Sequence, residues 1–212
     1  VTRDFSALHI RQKQDQVGDR FDATVRTSIL GLANETVAGF DINRARFGYA
    51  SSSSLSPLPV DPFDPDPGLF PVDNFAPRFE SELSQRSVFI EDRLVFNDYL
   101  SLVGGARWDT SELDRDDIAS PGGSFGKSFH AFNWRVGAVV TPIQGLAFFG
   151  QYAVASDPLN VPLLDTLAAN ADFDLTQGRQ VEIGVKQSLW GGLVEWSLAG
   201  YDIVKTDLLV FD

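Results

Sequence analysis

The stretch Phe132-Asn133-Trp134-Arg135-Val136-Gly137-Ala138-Val139-Val140 alternates apolar and polar side chains over most of its length. Phe132 and Trp134 fall on one side of an extended chain, and Asn133 and Arg135 fall on the other. Because successive side chains of a β-strand point to opposite faces, the stretch predicts a two-faced strand. Its length is close to the ~9–11 residues that a tilted strand needs to cross a lipid bilayer.

The same alternation recurs along the chain and predicts about eight strands in all. The further segments are residues 20–29, 36–42, 88–96, 100–109, 146–155, 180–189 and 193–208. In the last of them Val194, Trp196 and Leu198 begin a phase that Tyr201 and Ile203 break. A β-bulge at this point would explain the break.

Charged side chains of both signs share the polar face of these strands. They are Arg20, Arg26, Glu91, Arg93, Arg107, Arg135, Glu182 and Lys186. Because Arg or Lys at the bilayer midplane costs about 2–4 kcal/mol, this face predicts a wet lumen and the apolar face predicts contact with lipid. Aromatic residues near the predicted strand ends fit the girdles of a membrane barrel. These aromatics are Trp108, Trp134, Tyr152, Trp190 and Trp196.

The connections between the strands alternate between short and long. The short ones lie at residues 31–34, 97–98, 142–145 and 190–192, and the long ones at about 50–83, 110–130 and 156–176. Outer-membrane barrels join their strands in this way, with short periplasmic turns and long extracellular loops. The sequence therefore predicts an all-β fold, an antiparallel transmembrane β-barrel segment. A soluble β-sandwich binding module is the less favoured alternative, because compact domains rarely carry such long loops.

Composition narrows the possible functions. The chain of 212 residues has 17 Lys and Arg against 29 Asp and Glu, a net charge of −12, which argues against a nucleic-acid partner. The absence of Cys excludes a disulfide framework and a thiolate metal site. No window approaches the ~20 apolar residues of a membrane helix. No export signal precedes Val1 and patterned strands run to both ends, so we expect the chain to be a piece of a longer protein.

Few features of the sequence support catalysis, so we expect that the protein is not an enzyme. His9 and His130 are the only histidines, and no phosphate-binding glycine loop is present. Glu91 and Asp92 are adjacent and face opposite ways on a strand, so they cannot act together on one substrate. The run at residues 61–67 offers oxygen ligands for Ca²⁺ but lacks EF-hand spacing, and its prolines favour a solvated loop.

Several motifs, taken in order over roughly residues 17–208, resemble the barrel strands of TonB-dependent siderophore receptors, the ferrichrome-type outer-membrane transporters in particular. The motifs are Val37-Ala38-Gly39-Phe40-Asp41, Val88-Phe89-Ile90-Glu91-Asp92-Arg93-Leu94, Leu102-Val103-Gly104-Gly105-Ala106-Arg107-Trp108-Asp109, Trp134-Arg135-Val136-Gly137, Gln151-Tyr152-Ala153, Gly178-Arg179-Gln180-Val181-Glu182-Ile183-Gly184-Val185-Lys186 and Tyr201-Asp202-Ile203-Val204-Lys205-Thr206-Asp207. Each is weak alone, and their order makes them specific together.

The resemblance implies a barrel of roughly 22 strands around a plug, in the outer membrane of a Gram-negative bacterium. It implies import of a ferric siderophore with energy from the TonB complex. Residues 1–212 would then be a partial barrel domain without the N-terminal plug and the C-terminal strands. A different outer-membrane barrel, such as a porin or a small eight-stranded barrel, remains an alternative. Expected partners are outer-membrane lipid, the siderophore, and the TonB complex through the plug.

The resemblance also selects candidate binding residues, since loop aromatics and lumen-facing polar residues often contact the siderophore in this family. These candidates are Tyr49, Phe63, Phe70, Phe75, Phe79, Arg107 and Gln151. Packing between loops explains the aromatics equally well. Alternatively, the polar residues Arg107, Arg135 and Gln151 would contact the plug and hold it in place. No cofactor and no protein-ligated metal is expected, because a siderophore already fills the coordination sphere of iron.

Overall fold

Antiparallel strands make up most of the chain in a computed structural model, which describes residues 2–3, 6–55, 58–59, 61–64, 75–157 and 174–208. The strands are β1 (Thr2–Arg3), β2 (Ser6–Ile29), β3 (Leu32–Leu55), β4 (Leu58–Pro59), β5 (Ala76–Val95), β6 (Leu100–Asp117), β7 (Phe125–Ile143), β8 (Leu146–Ser156), β9 (Gln177–Leu189) and β10 (Val194–Thr206). Short 3₁₀ turns lie at Pro121–Gly123 and Trp190–Gly192. No helix in these described ranges is long and apolar enough to cross a membrane.

Eight of the strands form one sheet in the order β10-β9-β8-β7-β6-β5-β3-β2, and β1 pairs with β4 apart from it. The predicted all-β antiparallel fold is confirmed. The sheet is open, because β10 and β2 are its two edges and do not pair with each other, so the described chain is not a closed eight-stranded barrel. Val181 and Ile183 are 47% and 66% exposed, and no second described sheet covers them as a sandwich would require.

The turn between β2 and β3 is tighter than the predicted connection at residues 31–34. Leu30 and Gly31 have φ values of 52° and 83°, and β3 already begins at Leu32. Two successive residues with positive φ match the right-handed twist of a hairpin, which explains the glycine at the second position. The prediction was wrong for residues 32–34 because Asn34, like Gly31, is a residue type common in turns.

The two faces of the sheet differ sharply near the short turns. We call outer the face that carries Phe40, Val88 and Trp108, and inner the face that carries Asp41 and Arg107. Phe40, Val88 and Trp108 lie side by side in the register of β3, β5 and β6 and are 48%, 57% and 48% exposed. The outer face is apolar over about ten residues from each short turn, as in a membrane-spanning strand. We call this zone the apolar belt.

The charged residues that were predicted to share one face do share the inner face. The register pairs Arg20 with Asp41, Arg26 with Glu35, Glu91 with Gly105, Arg93 with Val103, Arg107 with Asn133, Gly105 with Arg135, Gln151 with Glu182 and Ala147 with Lys186. Because paired residues of an antiparallel ladder lie on the same face, the inner wall of the belt is polar from β2 to β9.

Beyond the belt the two faces exchange character. One register step past Trp108, the outer face carries Arg86, Thr110 and His130. The inner face instead carries a buried hydrophobic cluster, which we call the inner cluster. Its members are Ala45, Phe47, Phe79, Leu83, Leu113 and Phe129. Water on the outside and packing on the inside explain this reversal, which marks the edge of the belt.

The strands continue past the belt into stretches that the sequence predicted as loops. β6 runs to Asp117 and β7 starts at Phe125, so the predicted loop at residues 110–130 shrinks to a short connection. β3 and β5 likewise extend into the predicted loop at residues 50–83. These extensions are rich in Asp, Glu and Ser, which have low strand propensity, and the inner cluster stabilises them nevertheless. Because of them Trp108 lies in mid-strand, at the edge of the belt, and not at a strand end.

The bulge suggested for the last strand is absent. β10 pairs with β9 without a register shift from Val194 to Thr206. Tyr201 and Ile203 simply lie on the inner face, opposite Glu182 and Gln180. Register shifts occur instead at Tyr49–Ala50 and between Val140 and Ile143.

Asp92, which interrupts the apolar face of β5, is hydrogen-bonded within that face. Asn34 Nδ2 donates to its Oδ1 and Oδ2 at 2.9 and 2.8 Å, and Thr36 Oγ1 donates to Oδ1 at 2.6 Å. These three hydrogen bonds from two side chains make a carboxylate tolerable on an apolar surface. Asn34 is 4% exposed, so this cluster is part of the packing between β3 and β5.

On the outer face of the extensions, Glu82 joins two arginines of β3. It forms ion pairs with Arg44 and Arg46, the second at 2.9 Å, and hydrogen bonding from Arg44 is the main cause that lowers its pKa below the ordinary 4.5. A depressed pKa stabilises the fold above the unfolded pKa, and this stability disappears as the pH falls through the folded value.

We expect Glu82→Gln to lower the free energy of unfolding at pH 7 by about 0.5 kcal/mol, because the carboxylate is partly exposed and screened. The difference from the wild-type protein should vanish once the pH lies below the folded pKa of Glu82, which urea unfolding at pH 7 and at such an acidic pH would reveal. An equal effect at both pH values would mean that packing, and not the charge, is responsible.

Candidate functional site

Arg107 on β6 is the centre of a charged network on the inner face. Its Nη1 and Nη2 donate to the two carboxylate oxygens of Asp41 on β3 at 2.7 and 3.1 Å. Its Nε donates to Asp109 Oδ1 at 2.8 Å, and Nη2 also donates to Ser87 Oγ at 2.7 Å. The planar fork of Arg suits such bidentate binding. Alternation places these groups together, since Asp41, Ser87 and Asp109 are register partners on adjacent strands.

The network continues to the start of a long connection. Asn133 on β7 donates from Nδ2 to Asp109 Oδ2 at 2.6 Å, and its Oδ1 accepts the backbone N–H of Ser156 at 2.7 Å. Ser156 is the last residue of β8. A cavity of about 220 Å³ opens beside these groups, where Leu175 and Asp157 also line it. The wall is therefore polar and cross-linked by hydrogen bonds here, with a small cavity beside it.

The base of the connection after β8 is fixed on both sides. Lys205 on β10 donates to the two oxygens of Asp157 at 3.1 and 2.9 Å. Thr176 Oγ1 donates to the backbone oxygen of Asp207 at 2.9 Å, and Leu175 packs against the inner cluster. The described ends of this connection, Asp157 and residues 174–176, are thus anchored to β10 and to the inner cluster.

Nearer the short turns the inner wall holds more exposed pairs. Arg135 is ion-paired with Glu91, and the two side chains are 48% and 41% exposed. Gln151 Nε2 donates to Glu182 Oε2 at 2.7 Å. These groups retain free donors and acceptors towards the space in front of the wall. They can bind a polar surface or a polar ligand without further rearrangement.

An aromatic stack lies on the inner face of the extensions. The rings of Tyr49 and Phe79 stack at a centroid distance of 5.2 Å and an interplanar angle of 12°. Arg115 lies on β6, which pairs with β5, and its guanidinium carbon is 3.5 Å from the centre of the Phe79 ring. Cations favour the electron-rich ring face. The stack therefore combines apolar area with a fixed positive charge.

The candidate residues divide into three groups in the structure. Arg107 and Gln151 lie on the inner wall of the belt, and Tyr49 and Phe79 lie on strands β3 and β5, not in a loop. Phe75 stacks on His9 at 4.5 Å, with Arg11 5.2 Å from its ring, and Phe63 is 95% exposed. Phe70 lies outside the described residues. The structure brings Tyr49 and Phe79 together, and a binding role for all seven stays a prediction.

Sequence reasoning missed Arg115, Asp41 and Asn133. Arg115 was hidden because it lies between Asp114 and Asp116 in a stretch that looks like a solvated loop. The signal that would have found it is the alternation of Ser111, Leu113 and Arg115 with acidic neighbours. Within the described ranges no group of three or more His, Asp or Glu side chains could hold a metal ion. The arrangement offers binding surfaces for polar and aromatic groups.

The fold is that of a β-barrel wall with an apolar exterior and a charged interior. The model of the family described as TonB dependent receptor-like, beta-barrel matches residues 2–212, and the chain belongs to this family. No curated protein matches the chain.

Solved structures share the fold. The siderophore receptor PiuA from Acinetobacter baumannii has a TM-score of 0.74 at 15% identity, and the match covers 91% of this chain and 32% of PiuA. The ferric-catecholate import receptor Fiu from E. coli K12 has a TM-score of 0.69 at 17% identity, covering 90% and 31%. FpvA from P. aeruginosa, bound to a pyoverdine, has a TM-score of 0.73 at 18% identity, covering 93% and 26%. The chain thus spans about a third or less of these proteins.

Proposed function

We propose that this chain is part of the barrel of an outer-membrane receptor that imports ferric siderophores in a Gram-negative bacterium, driven by the TonB complex. The observation that carries the proposal is the apolar belt with its polar inner wall, in a chain of the TonB-dependent receptor-like family. The belt has the height that a strand needs to cross a bilayer. Residues 1–212 would form one sector of a larger barrel, with a plug and further strands supplied by the rest of the protein.

Different parts of the inner face would serve different partners. The aromatic stack lies beyond the belt, on the side of the long connections, where an incoming siderophore would arrive. Tyr49, Phe79, and the aromatics Phe63, Phe70 and Phe75 are the proposed ligand contacts there. Arg107 and Gln151 lie deeper, where they would contact the ligand or the plug. The siderophore itself would hold the iron, so the protein needs neither a cofactor nor a metal site.

Uptake by intact cells tests this function. Two strains would be compared: one that lacks the gene, and the same strain with the gene restored on a plasmid. Both would be starved of iron and then given ⁵⁵Fe complexes of a catecholate, a hydroxamate and citrate. We expect the restored strain to accumulate at least one complex, and we expect a tonB deletion to abolish that accumulation. Accumulation that persists without TonB would contradict the proposal and would indicate passive diffusion through a pore.

The orientation of the sheet is tested by placing a charge on the belt. We expect Ile183→Arg to destabilise the folded receptor by about 2–4 kcal/mol, because the outer face would hold the guanidinium in lipid. The matched control is Tyr201→Arg on the neighbouring strand, which faces the inner side opposite Glu182 and is equally exposed, at 70% against 66%. Urea unfolding in phospholipid bilayers measures both. Equal effects of the two variants would argue against a lipid-facing outer surface.

A further inference from the structure

The ladder between β7 and β8 stops before β7 does. Its last register pair joins Trp134 with Val154, and β8 ends at Ser156. Beyond this pair β7 remains in register with β6 as far as Phe125, while β8 stays paired with β9 up to Ser156, which lies opposite Gln177. The described sheet thus divides here into two branches, one that ends in β7 and one that begins with β8. We call this point the fork.

The side chain of Asn133 on β7 bridges the fork. Its Oδ1 accepts the backbone N–H of Ser156 at 2.7 Å, and its Nδ2 donates to Asp109 Oδ2 at 2.6 Å. Because an amide side chain accepts at its oxygen and donates at its nitrogen, the bond to Asp109 fixes which of the two faces Ser156. Asp109 is itself 7% exposed, and Arg107 and Ser87 donate to its other oxygen. The bridge is therefore oriented by a buried network on β6.

The next residue along the chain, Asp157, is bonded to the other branch. Its backbone N–H donates to Thr176 O at 2.8 Å, which extends the ladder between β8 and β9. Lys205 on β10 donates to both of its carboxylate oxygens. Leu175, just before β9, also packs against the inner cluster. The far ends of β8, β9 and β10 are thus joined to one another, and the bond from Ser156 to Asn133 joins them to β7 beyond the ladder.

We propose that Asn133 is a latch that holds the branch of β8, β9 and β10 against β7, and that Asp109 sets the position of this latch. A change in the bonds of Asp109 on β6 then reaches the end of β8, two strands away. The cavity of about 220 Å³ beside Asp109, Asn133 and Ser156 leaves room for the amide to turn away. The inference is independent of the proposed function, because it rests on bonds within the sheet. In the proposed receptor it would couple the inner wall to the base of the connection after β8.

Hydrogen exchange of single amides in the complete folded protein tests the latch. Electron-transfer fragmentation of peptic peptides separates the N–H of Ser156 from that of Asp157. We expect Asn133→Ala to speed exchange at Ser156 about threefold to tenfold, because the acceptor is lost. Exchange at Asp157 should stay within about twofold, because the branch moves as one unit. Asp109→Ala should also speed exchange at Ser156, by about threefold, because the amide of Asn133 is no longer held in place.

The matched control is Thr110→Ala, which lies next to Asp109 on β6 but on the outer face and should change neither amide. Equal acceleration at Ser156 and Asp157 in Asn133→Ala would mean that β8 frays from its end, and it would overturn the proposal. Unchanged exchange at Ser156 in that variant would overturn it as well. An effect of Asn133→Ala without one of Asp109→Ala would refute the coupling to β6. If Asp109→Ala does not fold, Asp109→Asn serves in its place, since it keeps the shape and loses the charge, and the absence of any acceleration would refute the coupling.

Discussion

Replacing Gly39 with alanine is expected to disrupt assembly of the sheet between β2 and β3. A Cβ at this position would meet the carbonyl oxygen of Phe21, lie 2.9 Å from Asp22 Cα and lie 2.8 Å from the Phe89 ring. Two of these obstacles are backbone atoms of the paired strand, which cannot move without breaking the ladder. Overpacking costs about 1–3 kcal/mol where side chains can adjust, and we expect at least the upper value here.

The Phe89 ring explains why the glycine is needed. It lies over Gly39 on the inner face, and the guanidinium carbon of Arg20 lies 4.2 Å from the centre of the ring. The same arrangement recurs on the other half of the sheet. A Cβ at Gly184 would collide with the Phe149 ring and lie 2.7 Å from Leu198 O, and Lys186 lies 5.2 Å from that ring. An aromatic ring that covers a glycine of the next strand restores the packing that glycine lacks, and it holds the register.

The matched control for this prediction is Gly104→Ala. Gly104 also lies in a strand of the belt, but its added Cβ would have open space around it. We expect heat-modifiability on gels to show folded receptor for Gly104→Ala and little or none for Gly39→Ala. Normal folding of Gly39→Ala would show that β2 and β3 can separate, contrary to the close approach seen here.

The sequence predicted the faces of the strands far better than it predicted their ends. Alternation alone placed Arg107, Arg135 and Glu182 on the polar face, because one buried or lipid-covered face fixes the register of a strand. The predicted strand ends were wrong where the apolar side chains change from the outer face to the inner face. At Leu113 and Arg115 the buried side chains turn inward while Asp114 and Asp116 turn outward, so composition resembles a loop although the backbone is paired.

The candidate site was predictable only in part for a related reason. Tyr49 and Phe79 stood out as aromatics, but their stacking depends on the register between β3 and β5, including the shift at Tyr49–Ala50. Asp41 and Arg107 are far apart in sequence, and their ion pair crosses the intervening strand β5. Contacts of this kind depend on how the strands pair in the folded sheet. The alternation within one strand carries no information about that pairing.

Arg107→Met should destabilise the barrel wall more than the loss of any other charged side chain on the inner wall of the belt. The substitution leaves Asp41 and Asp109, whose side chains are 19% and 9% exposed, without their shared cation. Removing one partner of a buried ion pair costs about 3–5 kcal/mol, and we expect about 2–4 kcal/mol because Arg107 itself is 32% exposed. The free energy of unfolding in urea measures the loss.

Two further variants distinguish this network from ordinary surface charge. Arg135→Met removes an ion pair whose members are both nearly half exposed, and we expect a cost below about 1 kcal/mol. Asp41→Asn in the Arg107→Met background removes one of the unpaired carboxylates and should recover part of the lost stability, which is the coupling that a double-mutant cycle reports. If Arg107→Met and Arg135→Met were equally mild, the network would be solvated and would not hold β3, β5 and β6 together.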